Sequence, residues 1–547
     1  MTSMSSDILN PVVAGFAPDP SMIRIGDDYL LATSTFGWLP AIRLYTSKDL
    51  ADWTLIGHAL EIPPELRGIG SSAGVWAPSL SYDPASSLIC LTYSVMWSQN
   101  AEVFDVDNFL VTAPGIHGPW SEPISLNSIG FDPSMFHDDD GRHWLVTLEW
   151  ETREGYEHPG AIVLEEFDWA EQRIIGEARR ISRGSTDRGC LEGPNLSKRN
   201  GFYYLMTAEG GTGFGHGVAL ARSERIEGPY APSPVNPIVT SAPQDYADRG
   251  NRDYLRPERY NPRSAIQKAG HGCLVDTPNG EWYLAHLASR PLPDSRRSML
   301  GRETFVQKVE WTDDGWVRMV DGGRVAQERV PGIAGCVYPE RTPARDSFVE
   351  DFDSETLPVR FSSIRIPVSD DWARLGERPG HLRLRGRQSL TSRFDVSLIA
   401  TPLQGVTATA AAVLDLEPEH YSQSAGLVLY YDELNHLYLR VTHSESLGSR
   451  ALAIDIVEQG VRRELHSERW AIGNGPVTLQ AQLRDGVLQF RAGVVGEDLA
   501  DIGPAIDATI LSDETARGFT GTMVGVVCQD GFRRRLWADV DSFAVSY

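Results

Sequence analysis

Residues 18–33 read PDPSMIRIGDDYLLAT, and the fold is inferred from this unit. An acidic residue, a proline and a small polar residue precede two short apolar runs, and the turn 26–28 separates those runs. This order is typical of a β-hairpin. Four later stretches repeat it, with a Pro or Gly at the equivalent point, and they are 76–93, 131–147, 192–207 and 270–286.

The spacing of these repeats predicts the architecture of the first part of the chain. The aligned Pro and Gly positions are Pro20, Pro78, Pro133, Pro194 and Gly272, which lie 58, 55, 61 and 78 residues apart. A sheet unit that recurs about every 40–60 residues is typical of a β-propeller, so five units predict five blades. The last interval is longer because it contains the polar stretch 244–263, which we expect to be a surface loop.

A different pattern begins at about residue 340, after which short apolar alternations are separated by turns. Many short strands with little helical periodicity predict a β-sandwich. We therefore expect an all-β protein with a catalytic propeller over 1–338, a linker, and a sandwich over 346–547. The strand segments predicted in the sandwich are 381–385, 426–431, 437–442, 451–457 and 477–490.

Composition narrows the classes of function and of partner. The 547-residue chain carries a net charge of −24, which argues against binding to nucleic acid or to an anionic membrane surface and is compatible with a neutral sugar. The five cysteines are widely spaced and lack a CxxC pair, which predicts free thiols rather than a disulfide framework or a zinc site. No signal peptide is visible, so a cytoplasmic location is expected. Homo-oligomerisation is left open.

Three carboxyl groups converge on the predicted channel. Asp19 and Asp132 occupy the same column of the repeats, and Glu192 lies one position earlier in the fourth repeat. Asp-Pro-Ser is also a common turn element, but a turn role would place an acid in every repeat, and the second has Ala77. Clustered carboxyl groups raise one another's pKa values and destabilise the fold. Such a cluster therefore indicates a functional site. Two of them suffice for glycoside hydrolysis, and a third can keep the acid protonated.

Other side chains near the same axis are candidates for binding. Phe36 and Trp76 could pack against the apolar face of a sugar, although burial between blades is the simpler alternative. Arg290 could donate two hydrogen bonds to sugar hydroxyls or form a structural salt bridge. His271 occupies the acid column of the fifth repeat and could hold water or a calcium-type ion. No ligand set with metal spacing accompanies it, so no metal or other cofactor is expected to be required.

These residues resemble glycoside hydrolase family 43, in the branch of β-xylosidases and α-L-arabinofuranosidases that carries a C-terminal concanavalin-like β-sandwich. The resemblance covers nearly the whole chain. The stretches that carry it are 10–11, 15–21, 32–36, 76–78, 130–132, 192–194, 207–212 and 300–304.

The resemblance implies a role for each candidate. It implies Asp19 as general base, Glu192 as general acid, and Asp132 as the group that orients this acid and raises its pKa. It places four further side chains in or beside the first sugar subsite, namely Phe36, Trp76, His271 and Arg290. It also implies that the sandwich sends the loop 518–521 to the active site, with Phe519 as its aromatic tip.

The function implied is an exo-acting, inverting hydrolase that releases terminal β-D-xylose from small xylo-oligosaccharides. Gly37, Ser79 and Asn195 depart from the usual family residues and leave the exact substrate open. An α-L-arabinofuranosidase or a bifunctional enzyme is the alternative, because the two pentoses present similar outlines to one pocket. Fructose-releasing hydrolases share the propeller and an acid trio, but they carry Asn-Asp-Pro-Asn-Gly where residues 17–21 read APDPS. A non-catalytic sugar-binding propeller would need no acid trio.

Overall fold

The computed structural model describes residues 4–60, 63–156, 159–243, 255–339, 345–465 and 470–547. In these ranges the regular structure is almost entirely β, as predicted, with the α-helix Asp513–Ala516 and the 3₁₀ turns Asn100–Glu102, Pro257–Arg259 and Ala508–Leu511. None of the helices described is long and apolar enough to cross a membrane. Most of the predicted loop 244–263 lies outside the described residues.

Five antiparallel sheets form the blades of the propeller, which confirms the predicted number. The strands of the first three, innermost first, are Ser21–Ile25, Asp28–Thr33, Arg43–Ser47 and Thr54–His58; Gly74–Asp83, Leu88–Ser98, Asp105–Ala113 and Ile124–Ser125; and Ser134–His137, His143–Trp150, Gly160–Asp168 and Arg173–Ser182. Those of the last two are Glu192–Arg199, Phe202–Glu209, Gly217–Ser223 and Ala231–Pro232, with Val239–Thr240 added; and Gln267–Asp276, Trp282–Ser289, Glu303–Trp311 and Val317–Met319.

Turn chemistry and burial explain why these segments form blades. Asn200 and Gly201 have φ values of 50° and 80°, the left-handed pair that a two-residue hairpin turn requires. Each blade packs against two neighbours, so its second strand is apolar on both faces, and Leu30, Leu91 and Leu145 are fully buried. The first and last chain segments of the propeller pair with each other, Met4–Ser5 with Tyr338–Pro339 and Asp7–Leu9 with Arg329–Pro331.

A shared backbone conformation occurs near the cavity end of each innermost strand, either just before the strand or in its first half. The five equivalent residues are Asp19, Ala77, Asp132, Gly193 and His271, with φ values of 53°, 43°, 58°, 57° and 44°. A positive φ is uncommon for residues other than glycine. All five residues line either the central cavity or the narrow channel beneath it. The column that the sequence repeat defined is therefore also a structural column.

Two sheets form the C-terminal sandwich. One contains Phe348–Glu350, Ala373–Arg374, Leu382–Arg385, Thr407–Asp415, Val477–Arg484, Val487–Val494, Ala500–Asp507 and Trp537–Ser546. The other contains Ser362–Ile364, Ser397–Pro402, Gln423–Asp432, Asn435–Ser444, Ser449–Glu458, Val461–Glu464, Trp470–Ala471 and Met523–Asp530. All five predicted segments coincide with strands, and 477–490 is a hairpin that turns at Asp485 and Gly486.

The propeller contributes a strand to this second sheet. Trp38–Leu39, which follows the second strand of the first blade, pairs antiparallel with Ser362–Ile364. Trp38 is buried, and its ring packs edge-on against Tyr430 at a centroid distance of 5.9 Å. The buried Arg43 donates hydrogen bonds to the Phe16 carbonyl and the Ser362 hydroxyl, so it bridges the two folding units.

A buried ion cluster forms a second contact between the two units. Lys268 of the propeller lies with its Nζ 3.0 Å from Asp513 Oδ2 and 2.5 Å from Glu514 Oε1 of the sandwich. Arg302 of the propeller also pairs with Asp513. The Lys268, Asp513 and Arg302 side chains are fully buried, so each charge depends on its partners for compensation.

Replacing Lys268 by Met is expected to destabilise the protein strongly, because two buried carboxylates then lose one of their cations. Removal of one partner from a buried ion pair costs about 3–5 kcal/mol. Urea unfolding followed by tryptophan fluorescence measures this change. The control is Glu377→Gln, which removes exposed ion pairs with Arg374 and Arg383 and should cost no more than about 1 kcal/mol. Equal effects of the two substitutions would contradict this account of the interface.

Candidate active site

A cavity of about 480 Å³ opens where the innermost strands begin. Its size falls within the usual range for small-ligand sites, roughly 300–1,000 Å³. Residues of all five blades and of the sandwich segment 517–519 line it. Seven of the eight predicted site residues are among its lining residues: Asp19, Phe36, Trp76, Asp132, Glu192, His271 and Phe519.

Asp19 is held from two sides. Ser34 Oγ donates a hydrogen bond of 2.6 Å to Asp19 Oδ2, and His271 Nδ1 lies 3.3 Å from Asp19 Oδ1. Ser34 Oγ in turn accepts a hydrogen bond from the Ala77 amide, at 2.6 Å. Asp19 is only 6 % exposed, so these contacts fix its orientation and leave little of it in water.

The surroundings of Asp132 and Glu192 favour the protonated form of one of these two carboxyl groups. The Gly193 amide donates to Asp132 Oδ2 at 2.9 Å, which ties Asp132 to the strand that begins with Glu192. Burial, reinforced by the charge of Asp132, raises the pKa of Glu192 to about 8. Burial also raises the pKa of Asp132, to about 6, despite the opposing effect of His271. At neutral pH, Glu192 is therefore the carboxyl group that carries the proton.

His271 supplies the positive charge that faces these acids. Burial disfavours its imidazolium form, but the hydrogen bond and charge of Asp19, with the charges of Asp132 and Glu192, raise its pKa to about 9. A water molecule or a calcium-type ion near His271 stays a prediction. The channel beneath it holds about 20 Å³, enough for one water molecule.

Aromatic rings form the walls of the cavity. Phe36 lies at the centre of this group, with its ring centroid 5.7 Å from Trp76 and 5.6 Å from Phe519. Farther out, Phe104 and Trp150 stack at 3.9 Å with an interplanar angle of 9°. Such surfaces pack well against the apolar faces of sugar rings.

The sandwich fixes its aromatic tip through the buried ion cluster. The guanidinium of Arg302 lies 4.7 Å from the centroid of the Phe519 ring, and Arg302 pairs with Asp513. Asp513 Oδ1 accepts a hydrogen bond of 3.0 Å from Tyr431, whose hydroxyl accepts one of 3.2 Å from the Thr520 amide. Phe519 is thus positioned by contacts from both folding units, rather than buried within the sandwich alone.

Arg290 is not among the residues that line the cavity. Its Nε and Nη2 donate to the two carboxylate oxygens of Glu303, both at 2.7 Å, and Glu303 is fully buried. The reason is strand register, because Ala288 pairs with Glu303 and Arg290 follows two residues later. The structure therefore shows Arg290 in the salt bridge that was its alternative, and its place beside the sugar subsite stays a prediction.

Several lining residues were not predicted from the sequence, among them the polar residues Arg188, Thr212 and His216. Arg188 lies in an irregular segment and donates to the Gly215 carbonyl at 2.8 Å. Thr212 belongs to the stretch 207–212, but its side chain had no assigned role. His216 is buried, and burial lowers its pKa well below the usual value, so it lines the cavity as a neutral ring. The sequence gives one indication of His216, which is that it follows the stretch 207–212 by four residues.

Comparison with known protein families agrees with this geometry. Residues 8–317 match the model of Glycosyl hydrolases family 43, and 349–546 match the Beta xylosidase C-terminal Concanavalin A-like domain. The second match confirms the predicted type of sandwich.

Similar individual proteins cover nearly the whole chain. A xylan 1,3-beta-xylosidase of Vibrio sp is 38 % identical, over 99 % of each chain. Xylosidase/arabinosidase 43B of Humicola insolens is 40 % identical, over 96 % of this chain and 94 % of its own. The crystal structure of xylan beta-1,4-xylosidase from Bacillus Halodurans C-125 superposes with a TM-score of 0.92 at 42 % identity, covering 99 % of this chain and 100 % of that one. The chain belongs to glycoside hydrolase family 43.

Proposed function

We propose that the protein is an exo-acting, inverting β-xylosidase that releases terminal β-D-xylose from short xylo-oligosaccharides. The observation that carries the proposal is the pairing, in one cavity, of a carboxyl group that keeps its proton at neutral pH with a carboxylate held by two donors. Glu192 is the first of these groups and Asp19 the second. Acid and base are the two functions that inverting hydrolysis requires.

The chemistry follows from these two groups. Glu192 donates its proton to the glycosidic oxygen as the bond from that oxygen to the anomeric carbon breaks. Asp19 accepts a proton from a water molecule whose oxygen bonds to the same carbon from the opposite face. Glu192 leaves this step as a carboxylate and Asp19 as an acid, and proton exchange with solvent restores both. Asp132 assists by raising the pKa of Glu192.

The closed side of the cavity supports release of single sugars. The loop that carries Phe519 brings a second wall against Phe36, so a chain cannot run freely past the acids. Burial on both sides also removes water, which strengthens the electrostatic effects at the acids. The alternative of arabinofuranosidase activity, alone or in addition, is supported by the similarity to the xylosidase/arabinosidase of Humicola insolens.

Hydrolysis of xylobiose, xylotriose and aryl α-L-arabinofuranoside tests this proposal. We expect xylose as the only product of the first two, and proton NMR during the reaction should show α-xylose first, because water attacks opposite the leaving group. Glu192→Gln, which removes the proposed acid, should lower the rate on xylobiose by about 10²–10⁴-fold. Initial β-xylose would contradict inversion. Release of arabinose but not xylose would replace the proposal by its alternative.

Asp132→Asn is expected to shift the pH dependence of catalysis. In the unmodified protein the charge of Asp132 adds to burial in raising the pKa of Glu192, so the acid stays protonated into mildly alkaline solution. Without that charge the pKa of Glu192 falls, and the alkaline limb of kcat/KM moves to lower pH. A pH profile with an aryl xyloside measures this. Asp139→Asn, which removes an exposed carboxylate of the same blade, is the control and should leave the limb in place. An unmoved limb in Asp132→Asn would show that Asp132 does not tune the acid.

Phe519→Ala is expected to lower kcat/KM by roughly tenfold, or about 1.4 kcal/mol, because one wall of the sugar pocket is lost. The Tm should change little, since the ring is only partly buried. Phe532→Ala, which removes an exposed ring elsewhere on the sandwich, is the matched control. A large fall in Tm with unchanged kcat/KM would mean that Phe519 acts as a packing residue only.

A further inference from the structure

A second cluster of chemically active side chains lies away from the cavity, between the second and third blades. Asp83 ends the innermost strand of one blade, and His137 and His143 flank the first turn of the next. Ligand atoms of the three side chains all lie within 4.8 Å of one another. Ala77 and Asp132 mark the cavity ends of the same innermost strands, so roughly 15–20 Å of strand separates the cluster from the cavity.

The two histidines already face each other as a pair. They are directly opposite residues of one antiparallel hairpin, and their Nδ1 atoms lie 2.8 Å apart. At that distance the nitrogens share one proton, so at least one of them presents a lone pair. A tetrahedral metal ion bonded to both would hold them about 3.3 Å apart. A shift of about half an ångström would therefore convert the pair into a chelate.

Neighbouring groups orient these side chains through hydrogen bonds, as they do for the ligands of protein metal sites. His137 Nε2 lies 3.1 Å from Ser81 Oγ, which leaves Nδ1 turned towards His143. Metal-bound histidines usually donate their other N–H to a neighbouring acceptor in this way. The Asp83 carboxylate is fixed by the Ala85 amide and by the amide and hydroxyl of Ser86. It is only 2 % exposed.

We propose that Asp83, His137 and His143 bind a divalent transition metal ion, with Zn²⁺ as the best match, and that this ion joins the second and third blades. Two imidazole nitrogens and one carboxylate suit zinc and its neighbours, whereas calcium and magnesium prefer sets of oxygen ligands. The ion replaces the proton shared by the two imidazoles, and that proton passes to solvent. A water molecule completes the coordination. The site is independent of the sugar-hydrolysing function.

Zinc titration of the full chain, freed of metal with EDTA and dialysed, tests the proposal. Isothermal titration calorimetry should show one Zn²⁺ bound per chain, and Zn²⁺ should raise the Tm because it binds the folded state. Both effects should be lost in His143→Gln. The control His117→Gln removes an exposed histidine of the second blade and should bind Zn²⁺ as the unmodified chain does. Near-ultraviolet circular dichroism without metal checks that each variant is folded.

Ser81→Ala keeps all three ligands and serves if His143→Gln does not fold. It should weaken Zn²⁺ binding by about 10–100-fold through loss of the contact to His137 Nε2. The proposal is overturned if the unmodified chain binds no Zn²⁺, or if the variants at Ser81 and His143 that fold bind it with unchanged affinity. The second result would point instead to the acids and His271 of the cavity.

Discussion

Mutual repulsion among three buried carboxyl groups is the constraint on which the active site depends. Asp19 and Asp132 are 6 % and 7 % exposed, so water does little to screen them from each other or from Glu192. Such a group cannot hold three negative charges, and its members must divide protons unequally. Glu192 keeps its proton, and the positive charge of His271 compensates the remaining negative charge. The division of labour between acid and base is thus a consequence of crowding.

The propeller makes this crowding tolerable because it supplies each acid from a separate rigid blade. A residue with the same left-handed backbone conformation lies near the cavity end of each innermost strand, and side-chain identity alone distinguishes an acid from Ala77 or Gly193. A second buried charge cluster, around Asp513, ties the sandwich to the propeller and holds Arg302 against Phe519. Docking of the sandwich and completion of the cavity therefore rest on the same ion pairs.

Sequence pattern predicted the features that repeat and missed those that depend on single contacts. The hairpins, the five blades and the acid column could be inferred because each recurs at a regular spacing. Arg290 could not be placed, since its partner Glu303 is identified only once the register of two strands is known. Trp38–Leu39 is too short for any periodicity to reveal it as a strand. His137 and His143 flank a polar turn, where nothing in the spacing shows that their rings meet.

The pairing of Trp38–Leu39 with Ser362–Ile364 also has a consequence for solubility. The propeller segment occupies the outermost position of a sandwich sheet, where unpaired amides and carbonyls would otherwise invite another chain to add on. The propeller thus covers one edge of a sandwich sheet. Without the propeller, the sandwich would present an unpaired sheet edge that favours aggregation, so the isolated sandwich should be less soluble than the full chain.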